Sequence, residues 1–316
     1  MTEKHYILTD ADPVVFYGTR GENLQMLKGL VPKLRIVAHD NVLKAIGDEE
    51  ELAAFDIHFA RLQEHCAQFN SLSGEELLRI VKGEKTQRKG AENAILFGVT
   101  GKPITARTHN QQRLVQAYNT HDMVFAVGPA GSGKTYTAIA LAVRALKNKE
   151  IRRIILSRPA VEAGEKLGFL PGDMKEKIDP YLQPLYDALE DMIPRVRLQE
   201  MMEAGVIQIA PLAFMRGRTL NDAIVILDEA QNTTPAQIKM FLTRMGMNTK
   251  MIITGDLTQV DLPGSQRSGL RDALDILAGI PLIARVDLDK SDIVRHRLVT
   301  QIVEAYERRE TITSNL

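Results

Sequence analysis

Gly128-Pro-Ala-Gly-Ser-Gly-Lys-Thr135 fits the pattern G-x-x-x-x-G-K-[ST] at every fixed position. The flanking residues supply the context that this pattern needs. Met123–Val127 reads as a short apolar strand entering the glycine loop, and Thr137–Leu146 as an alanine-rich helix leaving it. Glycines at 128, 131 and 133 let the backbone turn tightly with its N–H groups facing inward, and the helix N-terminus adds partial positive charge there. This is a phosphate cradle. Its expected lining is Gly128, Pro129, Ala130, Gly131, Ser132, Gly133, Lys134, Thr135 and Tyr136. Lys134 reaches the β- and γ-phosphates, and the Thr135 hydroxyl holds magnesium.

Around the cradle, apolar runs alternate with helical stretches. Arg153–Ser157, Val206–Ala210, Ala223–Leu227, Met251–Thr254 and Leu282–Val286 read as buried parallel strands. Pro235–Met245, Ser268–Leu277 and Ile293–Arg308 read as helices between or after them. The expected fold class is α/β: a doubly wound parallel sheet of the P-loop NTPase type, with its ligand at the C-terminal ends of the strands.

The polar run Lys82–Gly90 has no apolar periodicity and divides the chain. We expect a small N-terminal α+β domain over residues 1–82, a linker and hairpin over 83–106 with its turn at Thr100-Gly-Lys, and the ATPase domain over 107–316. In the N-terminal domain Pro13–Tyr17 reads as a strand, Glu22–Lys28 as a helix, Leu34–Ala38 and Val42–Ile46 as strands, and Glu49–Phe69 as a long helix. Gly18-Thr-Arg-Gly21 then has two readings. It resembles the backbone-clamping Gly-x-x-Gly loop of KH-type RNA-binding domains. A strand-to-helix turn bounded by glycines accounts for it as well, because the KH loop joins two helices.

Two carboxylates end the apolar strand of Ile224-Val-Ile-Leu-Asp228-Glu229-Ala-Gln231, about 95 residues after the cradle. Asp228 suits magnesium binding. Glu229 suits activation of the attacking water as general base. In Thr254-Gly-Asp-Leu-Thr-Gln259 the Gln259 amide stands just past a strand end, placed to sense the γ-phosphate. In Arg107-Thr-His-Asn-Gln111 either Gln111 pairs with an adenine edge, or Thr108 or Asn110 caps a helix and Gln111 is merely exposed. Ser157–Asp173, with Arg158 and Lys166, has two readings: a segment that contacts nucleic acid or a neighbouring subunit, or a structured surface loop. Among Arg216, Arg218, Arg244, Arg271 and Arg295, the last is the candidate to meet the charge that develops on the transferred phosphoryl group.

Of the 316 residues 44% are hydrophobic and 25% charged, as in ordinary globular proteins, and the single cysteine excludes an intrachain disulfide. The opening Met-Thr-Glu-Lys-His-Tyr has no apolar signal region, and no apolar run is long enough for a membrane span, so a cytoplasmic location is expected. Lys and Arg balance Asp and Glu at 40 each. A constitutively tight nucleic-acid binder carries a strong basic excess, so any RNA contact here is expected to be modest or nucleotide-dependent.

Gly128–Thr135, Asp228–Asn232 and Gly255–Gln259 together resemble the ordered motifs of superfamily 1 helicase cores. Ser157–Asp173, Asp179–Leu189, Met215-Arg-Gly-Arg-Thr-Leu-Asn-Asp222 and Ser291-Asp-Ile-Val-Arg-His296 are similar to one family, the PhoH-like ATPases, over about residues 106–308. The resemblance implies a RecA-like fold, ATP hydrolysis with magnesium, a cytosolic location and a link to RNA metabolism. Bacterial members are associated with a YbeY-type endoribonuclease and with ribosomal RNA maturation. Gln111 matches the adenine-side glutamine of the family.

One phosphate loop and about 210 residues leave no room for the second RecA-like lobe that closes over ATP in such helicases. A neighbouring subunit is expected to supply that wall and an arginine, in a homo-oligomeric ring that the family resemblance makes a hexamer. Two other readings stand beside the RNA-linked ATPase. One is a small-molecule kinase with residues 160–205 as lid; the other is a nucleotide-gated binding module with little turnover.

Overall fold

The computed structural model describes residues 1–9, 11–84, 93–159, 174–263, 266–294, 298 and 302. The chain folds as two compact units. One comprises residues 1–105, 140–152 and 184–207; the other comprises 106–139, 153–183 and 208–316.

The chain begins with β1 (Thr2–Ile7), α1 (Pro13–Tyr17), α2 (Glu22–Leu30), β2 (Arg35–His39), β3 (Val42–Gly47) and α3 (Glu49–Phe69). The three strands form an antiparallel sheet in the order β1-β3-β2. Tyr6, Phe16, Leu27, Ile36, Leu43 and Phe55 share one core. α3 opens with Glu49, Glu50 and Glu51, where acidic side chains complement the helix dipole, and closes at Asn70 in the left-handed conformation. α4 (Gly74–Val81) starts on a reciprocal capping box between Ser73 and Glu76. β4 (Ala94–Phe97) and β5 (Pro103–Thr105) form the expected hairpin, in which Gly98 N donates to Lys102 O at 3.0 Å.

Two expectations change here. Pro13–Tyr17 is a helix, not a strand. Asp12 caps it by accepting from Val14 N at 2.7 Å, and Pro13 presets the first helical turn, which overrides the β-branched Val14 and Val15. The Gly18–Gly21 turn therefore joins two helices. β1 was not anticipated, because only Tyr6 of its six residues is buried and no apolar alternation marks it. Most of the expected linker, and the expected helix over 293–308 apart from isolated positions, lie outside the described residues.

The chain continues as α5 (His109–Thr120), β6 (Met123–Val127), α6 (Lys134–Lys147), β7 (Arg153–Arg158), α7 (Met174–Glu190), α8 (Arg195–Glu203), β8 (Ile207–Pro211), β9 (Ala223–Leu227), α9 (Pro235–Leu242), β10 (Lys250–Gly255), α10 (Gly269–Ile276) and β11 (Ile283–Asp287). β6 to β11 make a six-stranded sheet in the order β11-β6-β10-β9-β7-β8. Its registered pairs β11–β6, β6–β10, β10–β9 and β9–β7 are all parallel. β6 is buried on both faces. Met123, Phe125 and Val127 enter one core while Val124 and Ala126 enter another, the two-residue alternation of a central strand.

Register positions the site. Gly255 stands opposite Val127, Ile253 opposite Leu227, and Ser157 opposite Leu227. The residues that follow these ends, Gly128, Asp256, Asp228 and Arg158, therefore emerge side by side at one edge of the sheet. This is an α/β P-loop NTPase architecture with a small antiparallel α+β region at the N-terminus.

Candidate functional site

The glycine loop is shaped by close approach. A Cβ on Gly128 would stand 2.5 Å from Leu288 O, and one on Gly133, at φ +81°, would stand 2.8 Å from Gln111 Nε2. Lys134 is 8% exposed and folds back along the loop, donating to Gly128 O at 2.7 Å and Pro129 O at 2.8 Å. Ser132 Oγ donates to Pro129 O at 2.8 Å. Ala130 N is held by Asp256 Oδ2 at 3.1 Å.

Beside the loop lies a compact hydroxyl–carboxylate group. Thr135 Oγ1 and Thr254 Oγ1 each donate to Asp228 Oδ1 at 2.6 Å, and Asp228 is 4% exposed. Two hydroxyls around one carboxylate oxygen are hard oxygen donors, the type that magnesium prefers. The arrangement fits that ion, with Thr135 and Asp228 as its protein side.

Glu229 follows at φ +53°, left-handed and non-glycine, a conformation kept where surrounding contacts impose it. Its Oε1 accepts from Arg158 Nη2 at 2.9 Å and its Oε2 from Gln231 Nε2. Arg158 Nε lies 3.5 Å from Asp228 Oδ2, and its Nη1 donates to Tyr181 O at 2.7 Å. Gln231 is 1% exposed and spans the strand ends: its Nε2 also donates to Gln259 O at 3.1 Å, and its Oε1 accepts from Asp256 N at 2.9 Å. Asp256 in turn accepts from Thr258 N and Oγ1.

Lys134, Thr135, Asp228 and Glu229 thus belong to one network. Gln111 is buried rather than exposed. Thr108 caps its helix, and the Gln111 amide donates to Ser132 O at 2.9 Å and accepts from Arg107 N at 2.8 Å, against the phosphate loop. The side chain of Gln259 is exposed just past β10; its backbone joins the network, with its oxygen accepting from Gln231 and its N–H donating to Asp256 O at 3.1 Å. Tyr136 is 37% exposed. Arg295 lies outside the described residues, although its neighbour Val294 donates its N–H to Gly131 O at 3.2 Å. Asp292, two residues earlier, is buried, which by itself raises a carboxyl pKa. Hydrogen bonds from Thr108, the Asp289 backbone and Asn110 outweigh that and hold its pKa below the ordinary value.

The described partners of Arg158 are Glu229, Asp228 and a backbone carbonyl, while Lys166 and the rest of residues 160–173 lie outside the described residues. The signal was available in part, since Arg158 ends a strand at the same level as Asp228. Thr254, Asp256 and Gln231 were not singled out for the site. A cavity of about 1340 Å³, lined by Phe97, Lys147 and Ile193 among others, lies wholly in the first unit, and no residue of the phosphate loop borders it. Among the described residues no helix is long and apolar enough to cross a membrane.

Residues 103–307 match the family model described as PhoH-like protein. A PhoH-like protein of Bacillus subtilis is 49% identical over 281 residues, covering 87% of this chain and 88% of that one. One of Mycobacterium tuberculosis H37Rv is 60% identical over 317 residues, covering 97% and 89%. Protein PhoH of Escherichia coli K12 is 46% identical over 206 residues, covering 65% of this chain and 58% of that one. Among solved structures, a Sulfolobus solfataricus SWI2/SNF2 ATPase core in complex with dsDNA is matched at a TM-score of 0.37 and 16% identity, covering 60% and 47%.

Proposed function

Because the chain belongs to the family of PhoH-like proteins, we propose that it is a magnesium-dependent ATPase of RNA metabolism, an RNA helicase-like or ribosomal RNA maturation factor that works in the cytoplasm as a homo-oligomeric ring, a hexamer. The observation that carries the ATPase reading is the contact of Thr135 with Asp228 beside Glu229, at the mouth of the phosphate loop.

In this reading Lys134 leaves the Gly128 and Pro129 carbonyls for the β- and γ-phosphates. The loop N–H groups bind phosphate oxygens, and Gln111 lies on the adenine side. Thr135 and Asp228 hold magnesium, which supplies charge neutralisation on the phosphates when bound. Glu229 orients water and takes its proton. Gln259 senses the γ-phosphate, and Arg295 meets the developing charge. RNA and a YbeY-type endoribonuclease are the partners that hydrolysis serves.

Steady-state ATP hydrolysis by wild type and Glu229→Gln, with and without single-stranded RNA, tests this. Wild-type turnover that RNA stimulates and the variant lacks is expected, with ATP binding retained in the variant. Equal turnover in the two proteins overturns the site assignment. One observation favours a second reading: both Glu229 oxygens are engaged, as suits a nucleotide-gated binding module with little turnover. In that case wild type binds ATP and hydrolyses it negligibly. Sedimentation tests the ring, and an active ATP-saturated monomer overturns it.

A further inference from the structure

The Gly18-Thr-Arg-Gly21 turn takes no part in the nucleotide site. It joins α1 to α2 within a segment whose elements run strand, helix, helix, strand, strand, helix. The sheet order β1-β3-β2 leaves β2, the strand after α2, as an edge with one side unpaired.

The two glycines differ in their surroundings. Gly18, at φ +79°, is locked into the fold: a Cβ there would stand 2.9 Å from Asn23 N. The buried Asn23 amide is itself tied to Leu72 O at 2.9 Å. Gly21, at φ +76°, faces open space, with nothing within 4 Å of where its Cβ would be. Thr19 and Arg20 between them are exposed. The turn is thus fixed at one end and, at the other, open to close approach by another backbone.

Charge distinguishes the same elements. Lys4, Lys33, Lys44 and Arg79 of this region are each paired with a carboxylate, Asp56, Glu51, Glu3 and Glu75 respectively. Arg20 in the turn, Lys28 on α2 and Arg35 on β2 have no carboxylate partner among the described residues, and neither do Arg61 on α3 and Lys82. Residues 1–100 are acidic overall, with 15 Asp and Glu against 12 Lys and Arg. The turn, the following helix and the edge strand therefore each carry an uncompensated cation in an acidic region.

We propose that the Gly18–Gly21 turn, with α2 and the free edge of β2, binds a single-stranded nucleic-acid segment of about four nucleotides. The sugar–phosphate backbone approaches at Gly21, Arg20 and Lys28 neutralise its phosphates, and the unpaired groups of β2 face the bases. A duplex keeps its base edges paired and does not fit this arrangement. The inference rests on the RNA-linked reading above only in the choice of probe.

The test is fluorescence anisotropy of the full chain with a labelled oligouridine of about 12 nucleotides, its DNA counterpart and an RNA duplex, comparing wild type with Thr19→Asp/Arg20→Asp. Aspartate tolerates the left-handed conformation of Arg20, φ +62°, so the fold survives. We expect the variant to bind single strands at least tenfold more weakly, with a shallower salt dependence, while its melting temperature and RNA-free ATP hydrolysis stay those of wild type. Thr19→Ser/Arg20→Lys retains binding. The RNA and DNA arms tell which polymer is preferred. Single-strand affinity equal to wild type in the aspartate variant overturns the proposal, as does preference of wild type for the duplex or absence of single-strand binding. Glu229→Gln leaves this affinity unchanged, so failure of the binding surface and failure of the ATPase reading are distinguishable.

Discussion

Arg158 and Glu229 face each other across the ends of adjacent strands, with Arg158 Nη2 donating to Glu229 Oε1 at 2.9 Å. Gln231 takes the second carboxylate oxygen. With its oxygens engaged by a guanidinium and an amide, the carboxylate must give up one of these partners before it can accept a hydrogen bond from water on the same lone pair. Arg158→Ala is expected to raise basal ATP hydrolysis several-fold and to reduce stimulation by RNA, with Arg158→Lys intermediate. Steady-state assays with and without RNA check this, and a fall in kcat for Arg158→Ala would instead give Arg158 a productive part in the reaction.

Thr254 contributes one of the two hydroxyls on Asp228 Oδ1 and is fully buried. Thr254→Val keeps the shape and removes the donor. We expect a loss of about 1–2 kcal/mol in stability from the lost hydrogen bond, and a higher magnesium requirement for hydrolysis, read from a magnesium titration at saturating ATP.

Gly128→Ala places a methyl group 2.5 Å from Leu288 O, a backbone atom with no side-chain freedom to retreat. The expected cost is about 1–3 kcal/mol, together with loss of nucleotide binding. Urea unfolding and ligand titration read the two effects separately.

Lys147 has its pKa pushed down to about 8 by burial, and its ammonium donates to Ala67 O at 3.3 Å. The unfolded chain binds this proton up to the ordinary lysine range, so between about pH 8 and 10.5 it holds more protons than the folded chain. Stability from this group therefore rises with pH across that window, and the burial penalty is fully present below it. Lys147→Met is expected to stabilise the protein at pH 7 and to flatten its stability profile above pH 8, measured by denaturant titration across that range.

Much of the candidate site was legible because its determinants are local. The strand–glycine loop–helix around Gly128–Thr135 and the apolar run ending in Asp228-Glu229 each carry their geometry in consecutive residues. What escaped depends on register between strands or on capping. Arg158 meets Glu229 only because Ser157 aligns with Leu227. Gln231 bridges to Asp256 and Gln259 because β9 and β10 are neighbours. In the N-terminal region a single cap, Asp12 on Val14, turns a β-prone Val-Val-Phe-Tyr into helix. β1 gains its place from backbone pairing with β3, which leaves no apolar mark on the sequence.

The Lys134 ammonium folded back on the Gly128 and Pro129 carbonyls, the Thr135 hydroxyl on Asp228 and the Ala130 N–H on Asp256 shape the loop from within its own chain. In the proposed reading a nucleotide exchanges partners with this mould. Competition for the site is then decided by how many phosphate oxygens a ligand brings to replace those contacts.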